Sequence, residues 1–225
     1  MRNRYVDSYN FWPSYGDLAL TAVLILLLFL LTTNVATSRA LLEQNIDGLR
    51  VESRQEIVRS SLEGVQGIDT IEVDGNTQII TLSGDLVFLS DSTDLKPEGK
   101  ALLQNLAGIL DANERDFTRI VVEGHADAQD SRAFYRAGDN PDDHGNWRLS
   151  AERAIRVVQL FQQAGIDGSK LEVSGRSKYG PRDGDFLQWQ ELDAPELIPE
   201  YQRSLRKNRR IVIRLFYSKH VSSAQ

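Results

Sequence analysis

The stretch RIVVEGHADA, residues 119–128, decides the fold of the C-terminal part of this 225-residue chain. Its β-branched apolar start predicts a buried strand, and its polar end predicts a loop. The later stretch LSAERAIRVVQLFQQAG, residues 149–165, predicts a helix with Ser150 as N-cap and Gly165 as stop signal. The strand and the helix together place Asp127 at a strand end and Arg153 one turn into the following helix.

The segments around this core supply the remaining elements. Residues 70–88 predict two strands around an Asp-Gly-Asn turn, and residues 97–113 predict a helix opened by a proline. Residues 170–180 and 208–217 predict two further strands. This alternation of strands and helices predicts an α+β fold: a two-layer α/β sandwich with one layer of helices on one mixed sheet.

Three side chains in each predicted helix face the core. In the helix over residues 97–113, a leucine stripe repeats with helical spacing. The two predicted stripes are Leu103, Leu106 and Leu110 in the first helix, and Ala151, Ile155 and Val158 in the second.

The N-terminal stretch FWPSYGDLALTAVLILLLFLLTT, residues 11–33, is apolar except for one carboxylate, Asp17. A helix over residues 13–36 reaches about 36 Å, enough to cross a hydrocarbon core of about 30 Å. No A-x-A cleavage site ends the run, so we expect a retained transmembrane anchor rather than a signal peptide.

The sequence on either side of the anchor predicts its orientation and the other segments. The slight excess of arginine before the helix favours a cytoplasmic N-terminus, and thus a periplasmic C-terminal domain in a Gram-negative cell. We expect a cytoplasmic tail at 1–12, a polar linker at 37–69, a domain at 70–217 and a tail at 218–225. The linker is read as a solvated connector, a dimer helix or an amphipathic channel plug.

Composition excludes several classes of function. The formal net charge of −6 argues against nucleic acid as a partner, and the lack of cysteine rules out disulfides, thiol catalysis and cysteine-ligated zinc. The acidic loop over 128–145 lacks the spacing of a calcium loop, so we expect no metal and no cofactor. His125, Asp127 and Ser150 suggest a hydrolytic triad, but Ser150 is better explained as a helix cap, and we expect no enzyme.

Four motifs in order carry a resemblance to a known family. EGHADA (123–128), NWRLSAERA (146–154), GRSKYGP (175–181) and KNRRIVI (207–213) together resemble the OmpA-like peptidoglycan-binding domain. NWRLSAERA is similar to the version in MotB-type stator subunits, and so is the N-terminal WPSYGDL. The chain departs from the family pattern at Ala126, where a threonine is usual, in the long acidic loop, and in GRSKYGP.

This resemblance implies a ligand and a set of binding residues. The ligand is the stem peptide of peptidoglycan, whose diamino acid carries both an amine and a carboxylate. Arg153 takes the carboxylate and Asp127 the ammonium, since a guanidinium fork suits a carboxylate. The neighbours implied are Asn146 and Ser150 as hydrogen-bonding groups, Leu149 as a wall, and Arg209 at the border. The alternatives are an Asp127–Arg153 bridge that only closes the fold, and an Arg209 that only meets solvent.

The resemblance also gives Asp17 a role. An ionised carboxylate in apolar surroundings is costly, so an acid there can exchange between a charged and a neutral form. In MotB-type subunits such an acid carries ions, and we expect Ser14 and Thr21 to lie beside its path. The alternative is an acid at the headgroup level, or one favoured by the helix dipole.

The resemblance therefore implies a B subunit of an ion-driven rotary motor in the bacterial inner membrane. Two copies are expected inside a pentameric ring of multi-pass MotA/ZorA-like subunits, conducting ions past Asp17. We favour H⁺, and Na⁺ stays open because Leu20 stands where the family usually has a hydroxyl and Thr21 follows it. The compact chain and the segment over 191–210 resemble ZorB-type subunits of Zorya anti-phage systems. A flagellar stator and a passive peptidoglycan anchor without an ion path remain open.

Overall fold

The computed structural model describes residues 12–129, 131–138, 145–182 and 199–218. The chain forms two compact units, Met1–Leu49 and Arg50–Gln225. The predicted cytoplasmic and C-terminal tails lie almost wholly outside the described residues. The helices are α1 Trp12–Glu63, α2 Gly84–Val87, α3 Pro97–Ala112, α4 Asn146–Gln163 and α5 Pro199–Asn208. The strands are β1 Ile68–Asp74, β2 Thr77–Ser83, β3 Phe117–His125, β4 Leu171–Gly175 and β5 Arg210–Tyr217.

The five strands form one mixed sheet in the order β1-β2-β5-β3-β4. β3 and β4 are parallel, because α4 connects them, and the other neighbours are antiparallel. The β1–β2 hairpin turns at Gly75 and Asn76, and Gly75 has the left-handed φ of 57° that such a turn requires. The predicted α+β fold with a mixed sheet is confirmed.

The core lies between the sheet and the helices α3 and α4. α4 packs on β3 and β4, and α3 packs beside α4. The predicted leucine stripe of α3 is fully buried, and Phe161 of α4 joins it in the same cluster. The second predicted stripe is less accurate, because Ala151 and Ile155 are half-buried while Ala154 and Val157 are buried.

The start of α4 corrects one prediction. The helix begins at Asn146, and its N-cap is Gly145 with a left-handed φ of 80°, so Ser150 is not the cap. Ser150 lies in the second turn, where its Oγ donates to the Trp147 carbonyl at 3.0 Å and accepts from the Ser177 amide at 3.1 Å. At the other end, Gly165 has a φ of 114° and ends the helix as predicted.

The part of α1 in the first unit contains the predicted apolar segment. Its described side chains from Leu18 to Leu31 are exposed. By length and composition this segment is able to cross a membrane.

The predicted linker over 37–69 is helical up to Glu63, and its second half belongs to the second unit. Val51, Gln55, Val58 and Leu62 are buried, at the spacing of one helix face. Gln55 Nε2 donates to the Gly75 carbonyl at 3.0 Å. The folded unit therefore begins about twenty residues before the predicted boundary at 70, since this face supplies part of its core.

Helix α5 was not predicted from the sequence. It lies in the insertion before β5, and its Tyr201 and Leu205 are buried. Asn208 at its end accepts from the Arg182 amide at 2.9 Å. The helix leads directly into Arg209 and β5, and so fixes where Arg209 sits.

Candidate functional site: a charged pocket at the end of β3

A cavity of about 100 Å³ opens where β3 ends and where α4 and β5 begin. It is small and polar, and residues of both charges line it. The lining residues are Ser90, Asp91, Ala126, Asp127, Gln129, Ser131, Asn146, Leu149, Arg153 and Arg209. The structure thus brings together five of the six residues predicted to bind peptidoglycan; Ser150 does not line the cavity.

Two glycines bring α4 close to the sheet at this point. A Cβ on Gly124 of β3 would lie 1.9 Å from the Ser150 carbonyl oxygen. A Cβ on Gly175 of β4 would lie 3.0 Å from Ala151. Only glycine permits this approach, and it sets Arg153, one turn further along α4, above the end of β3.

Asp127 is the buried acid of the pocket, with 6% of its surface exposed. Its Oδ1 accepts from the Gln129 amide at 3.0 Å, and its Oδ2 accepts from Arg209 Nη1. Burial raises the pKa of Asp127 above its ordinary value, and the charge and hydrogen bond of Arg209 only partly oppose this. The contacts within the fold therefore leave the ionised form of Asp127 only partly stabilised.

Arg209 connects the pocket to a second acid. Its Nε and Nη2 donate to the two carboxylate oxygens of Asp85 at 2.8 and 3.0 Å. Burial works against the Arg209 charge, but Asp85 and Asp127 together raise its pKa above the usual value. Burial also disfavours the Asp85 charge, yet the hydrogen bond and charge of Arg209 lower the pKa of Asp85. The predicted border residue is thus a central part of the site.

Arg153 is held over the pocket by backbone carbonyls. Its Nε donates to Ser92 O at 2.9 Å and its Nη2 to Leu89 O at 3.3 Å, with the guanidinium 5.1 Å from the Phe88 ring centroid. Burial lowers the pKa of Arg153 to about 10, so the side chain stays charged at neutral pH. The predicted Asp127–Arg153 pair shares one pocket, but the direct ion pair is Asp127–Arg209.

The remaining predicted residues shape the pocket. Asn146 Nδ2 donates to the carbonyls of Asp127 and Gln129 at 3.2 and 3.1 Å, so it positions the loop after β3. Leu149 lines the cavity as an apolar wall. Ser150 was predicted as a ligand-binding hydroxyl, but its Oγ is buried and already bonded to the Trp147 carbonyl and the Ser177 amide.

Several pocket residues escaped sequence reasoning because they come from distant segments. Ser131 Oγ donates to Asp91 Oδ1 at 2.5 Å, and both line the cavity. Asp91 has a left-handed φ of 47°, a conformation that aspartate adopts more readily than most residues other than glycine. Asp85 follows the Ser-Gly at the end of β2, and no local pattern connects it with Arg209.

A second buried acid, Glu123, lies on β3 in a cluster with His125, Arg176 and Arg214. Its Oε1 accepts from Arg214 Nε at 3.1 Å and Arg176 Nη2 at 3.4 Å, and its Oε2 lies 3.5 Å from His125 Nε2. His125 and then Arg214 hold the pKa of Glu123 at about 2, against the effect of burial. Burial lowers the pKa of His125, which is therefore neutral. The carboxylate nearest to the neutral His125 ring is thus that of Glu123, and Ser150 is bonded elsewhere.

The predicted ion-path residues lie in the apolar part of α1. Asp17 and Thr21 are exposed there, and Thr21 Oγ1 donates to the Leu18 carbonyl at 2.9 Å. Ser14 is within the helix, but its side chain is outside the described residues. Among the described residues, no group of three acids or histidines is arranged to hold a metal, and the acidic residues 139–144 lie outside that part.

Comparison with known sequences finds similarity over part of the second unit. Residues 87–185 match the OmpA family. Outer membrane protein A of Shimwellia blattae is 31% identical over 108 residues, covering 48% of this chain and 40% of that protein. The same protein of Bordetella avium is 28% identical over 102 residues, covering 45% and 46%. The chain thus spans less than half the length of these curated relatives.

Comparison with solved structures shows the same fold. A MotB-like protein from Desulfovibrio vulgaris superposes with a TM-score of 0.60 at 19% identity, over 78% of this chain and 99% of that one. The cell wall anchor of the type VI secretion system from Pseudomonas aeruginosa gives a TM-score of 0.51 at 23% identity, over 72% and 95%. The second unit therefore has an OmpA-like fold that a MotB-like protein shares.

Proposed function

We propose that this chain, whose C-terminal part is an OmpA-like domain, is the peptidoglycan-anchored B subunit of a MotA/MotB-like ion-driven motor. One observation carries the anchoring half of this proposal. Asp127, Arg153 and Arg209 meet in a single cavity of about 100 Å³, so fixed charges of both signs face the same small space. Such a site suits a small zwitterionic group held by its two charged ends.

The diamino acid of the peptidoglycan stem peptide has this character. Its ammonium binds Asp127, whose ionised form is disfavoured by burial and gains a counter-charge from the ligand. Its carboxylate binds Arg153, which the Ser92 and Leu89 carbonyls already hold in place. Because Arg153 is pre-oriented, little side-chain entropy is lost when the ligand binds.

Binding of the full chain to purified sacculi tests the anchoring role. Arg153→Ala removes the pre-oriented guanidinium, and we expect affinity to fall at least about tenfold. Arg156→Ala is the matched control, because Arg156 is exposed on the same helix and lines a different groove. Sacculus binding by a folded Arg153→Ala chain at the wild-type level would contradict the assignment.

The motor half of the proposal rests on Asp17. We propose a single-pass inner-membrane protein with a cytoplasmic N-terminus and a periplasmic domain. Protons pass Asp17, with Ser14 and Thr21 beside the path, inside a pentameric ring of multi-pass MotA/ZorA-like subunits around two copies of this chain. A charge that crosses the full membrane potential gains about 2.3 kcal/mol per 100 mV, and the pocket holds the pair against the wall while the ring turns.

The mass of the complex purified in mild detergent from the native host tests the partner. We expect a multi-pass protein in a ring around two copies of this chain. Asp17→Asn should then abolish ion-driven function while the complex still assembles, whereas Asp17→Glu, which keeps the carboxylate, should retain part of it. Purification of the chain with wall fragments alone would contradict the motor role and support a passive anchor. Full function of the Asp17→Asn variant would do the same.

A passive anchor is the second candidate, since the fold is also that of the cell wall anchor of a type VI secretion system. Among motors, we favour a Zorya-type anti-phage motor over a flagellar stator, because of the segment over 191–210. Deletion of the gene should then raise phage plaque counts and leave swimming unchanged. Lost swimming with unchanged plaque counts would favour the flagellar stator.

A further inference from the structure

Two large aromatic side chains lie together on the surface of the domain. Trp147, in the first turn of α4, and Tyr179, in the loop after β4, have ring centroids 5.8 Å apart and planes inclined at 30°. Trp147 is 49% exposed and Tyr179 is 57% exposed. Phe88, Phe117 and Phe161 of the domain are buried and Tyr135 is 41% exposed, so among the described residues of the domain no other aromatic side chain is as exposed as these two. Exposed apolar surface of this kind indicates a binding surface.

This aromatic pair is joined to the pocket through the backbone. Trp147 directly follows Asn146, which lines the cavity. Ser150 Oγ bonds both the Trp147 carbonyl and the Ser177 amide, and the Ala126 amide donates to the Ser177 carbonyl at 3.0 Å. The loop that carries Tyr179 is thus fixed to the residue before Asp127, and Trp147 follows the pocket residue Asn146 in the first turn of α4.

We propose that Trp147 and Tyr179 form a platform for one sugar ring of the glycan strand whose stem peptide occupies the pocket. A pyranose presents an apolar C–H face that packs on aromatic rings, while Tyr and Trp keep polar atoms for its hydroxyls. The diamino acid is joined to the sugar by a few residues, and an extended chain covers about 3.5 Å per residue. Pocket and platform therefore bind two ends of one covalent unit. This inference rests on the proposed anchoring function.

Two probes separate the platform from the pocket: the disaccharide-linked stem peptide, and the same peptide after enzymatic removal of the sugars. Calorimetry with the full chain in detergent measures both affinities. We expect the wild-type chain to prefer the sugar-linked form, and Trp147→Ala or Tyr179→Ala to lose about five- to tenfold for that form. Affinity for the free peptide should stay within about twofold, because neither residue lines the pocket.

Two controls keep the test specific. Trp147→Phe keeps an aromatic ring and should restore most of the preference for the sugar-linked form. Val173→Ala removes an exposed apolar side chain of β4 and should change neither affinity. Tyr179→Ala lies in a loop, so it provides a folded variant if Trp147→Ala destabilises the first turn of α4.

The outcomes distinguish this inference from the proposed function. Equal affinities of the wild-type chain for the two probes, or platform variants that bind both like wild type, overturn the platform and leave the pocket intact. Loss of both probes by the platform variants also overturns it, because the residues would then support the pocket. A wild-type chain that binds neither probe overturns both proposals.

Discussion

Asp127 and Glu123 are buried acids near the end of the same strand, and both pair with arginines at β5, yet their pKa values move in opposite directions. Burial raises the pKa of Asp127, and Arg209, the Gln129 amide and the Arg153 charge together do not compensate. His125, Arg214 and Arg176 together hold the pKa of Glu123 at about 2. Burial is the largest effect on the pKa of Asp127, whereas for Glu123 the hydrogen bond of His125 exceeds it. Arg209 also divides its donors between Asp127 and Asp85.

This contrast separates a binding acid from a structural one. Glu123 has its counter-charges supplied by the fold, and so it stabilises the folded state. Asp127 lines a cavity and has room for one more cation. A buried acid whose partners only partly offset the cost of burying its charge is a candidate binding residue. A buried acid whose partners fully offset that cost is a candidate stabilising residue.

The largest expected effect comes from Glu123→Gln. A pKa lowered from 4.5 to about 2 corresponds to about 3 kcal/mol of folding stability at neutral pH. That stability is present above pH 4.5 and is lost as pH falls towards 2. We expect denaturant unfolding of the variant to show this loss at pH 7 and little difference from wild type near pH 2. A free energy of unfolding equal to that of the wild type at pH 7 would show that Glu123 is not a stabilising acid and would remove its contrast with Asp127.

Asp127→Asn should weaken binding to sacculi without weakening the fold. We expect sacculus affinity to fall at least about tenfold, because the amide cannot pair with an ammonium. The free energy of unfolding should be unchanged or higher, since the fold disfavours the ionised form of Asp127. Sedimentation and denaturant unfolding of the same samples check both statements. A large loss of stability would show that Asp127 is a structural acid like Glu123.

Lowering the pH should protonate Asp127 before Glu123. Asp127 becomes neutral at a pH above its ordinary pKa of 3.8, so sacculus binding should decline before Glu123 starts to be protonated in the folded chain. Circular dichroism should show intact structure at that point. The remaining binding of Asp127→Asn should lack this step, and an identical step in that variant would assign it to another group.

The smallest effect is expected for Arg176→Ala. Arg176 is 53% exposed and lies 3.4 Å from Glu123, so its removal should cost at most about 0.5 kcal/mol. Arg214→Ala removes the nearer and less exposed partner and should cost more. Thermal unfolding of the two variants side by side checks this order. The reverse order would show that the exposure of the arginine does not determine how much its ion pair with Glu123 stabilises the fold.

Most of the fold was predictable from the sequence, because each strand and helix carries its own local signal. The Asp-Gly-Asn turn, Pro97 and the leucine stripe of α3 all behave as their local chemistry predicts. The end of the linker was missed, although Val51, Gln55, Val58 and Leu62 have helical spacing. The apolar stripe was not recognised because the segment around it is polar and because Gln55 interrupts it.

The sequence predicted most of the residues of the site, but it did not predict which of them form the direct ion pair. The motifs place Asp127, Arg153 and Arg209 together, whereas the choice of Arg209 as the partner of Asp127 depends on Asp85, which is remote in the chain. Ser150 was misassigned because Gly145 begins α4 a turn earlier than the serine signal indicates. Contacts between distant segments leave no local pattern.

The close contact of Gly124 with Ser150 has a consequence for how this domain tolerates insertions. The separation between β3 and α4 is set by the contact of a glycine in the strand with a carbonyl in the helix. The segment over 128–145, which connects the two, does not set it. A change in the length of that segment is therefore expected to leave Arg153 beside Asp127. A single methyl group at Gly124 would displace the helix and disrupt the pocket, although Gly124 itself does not line it.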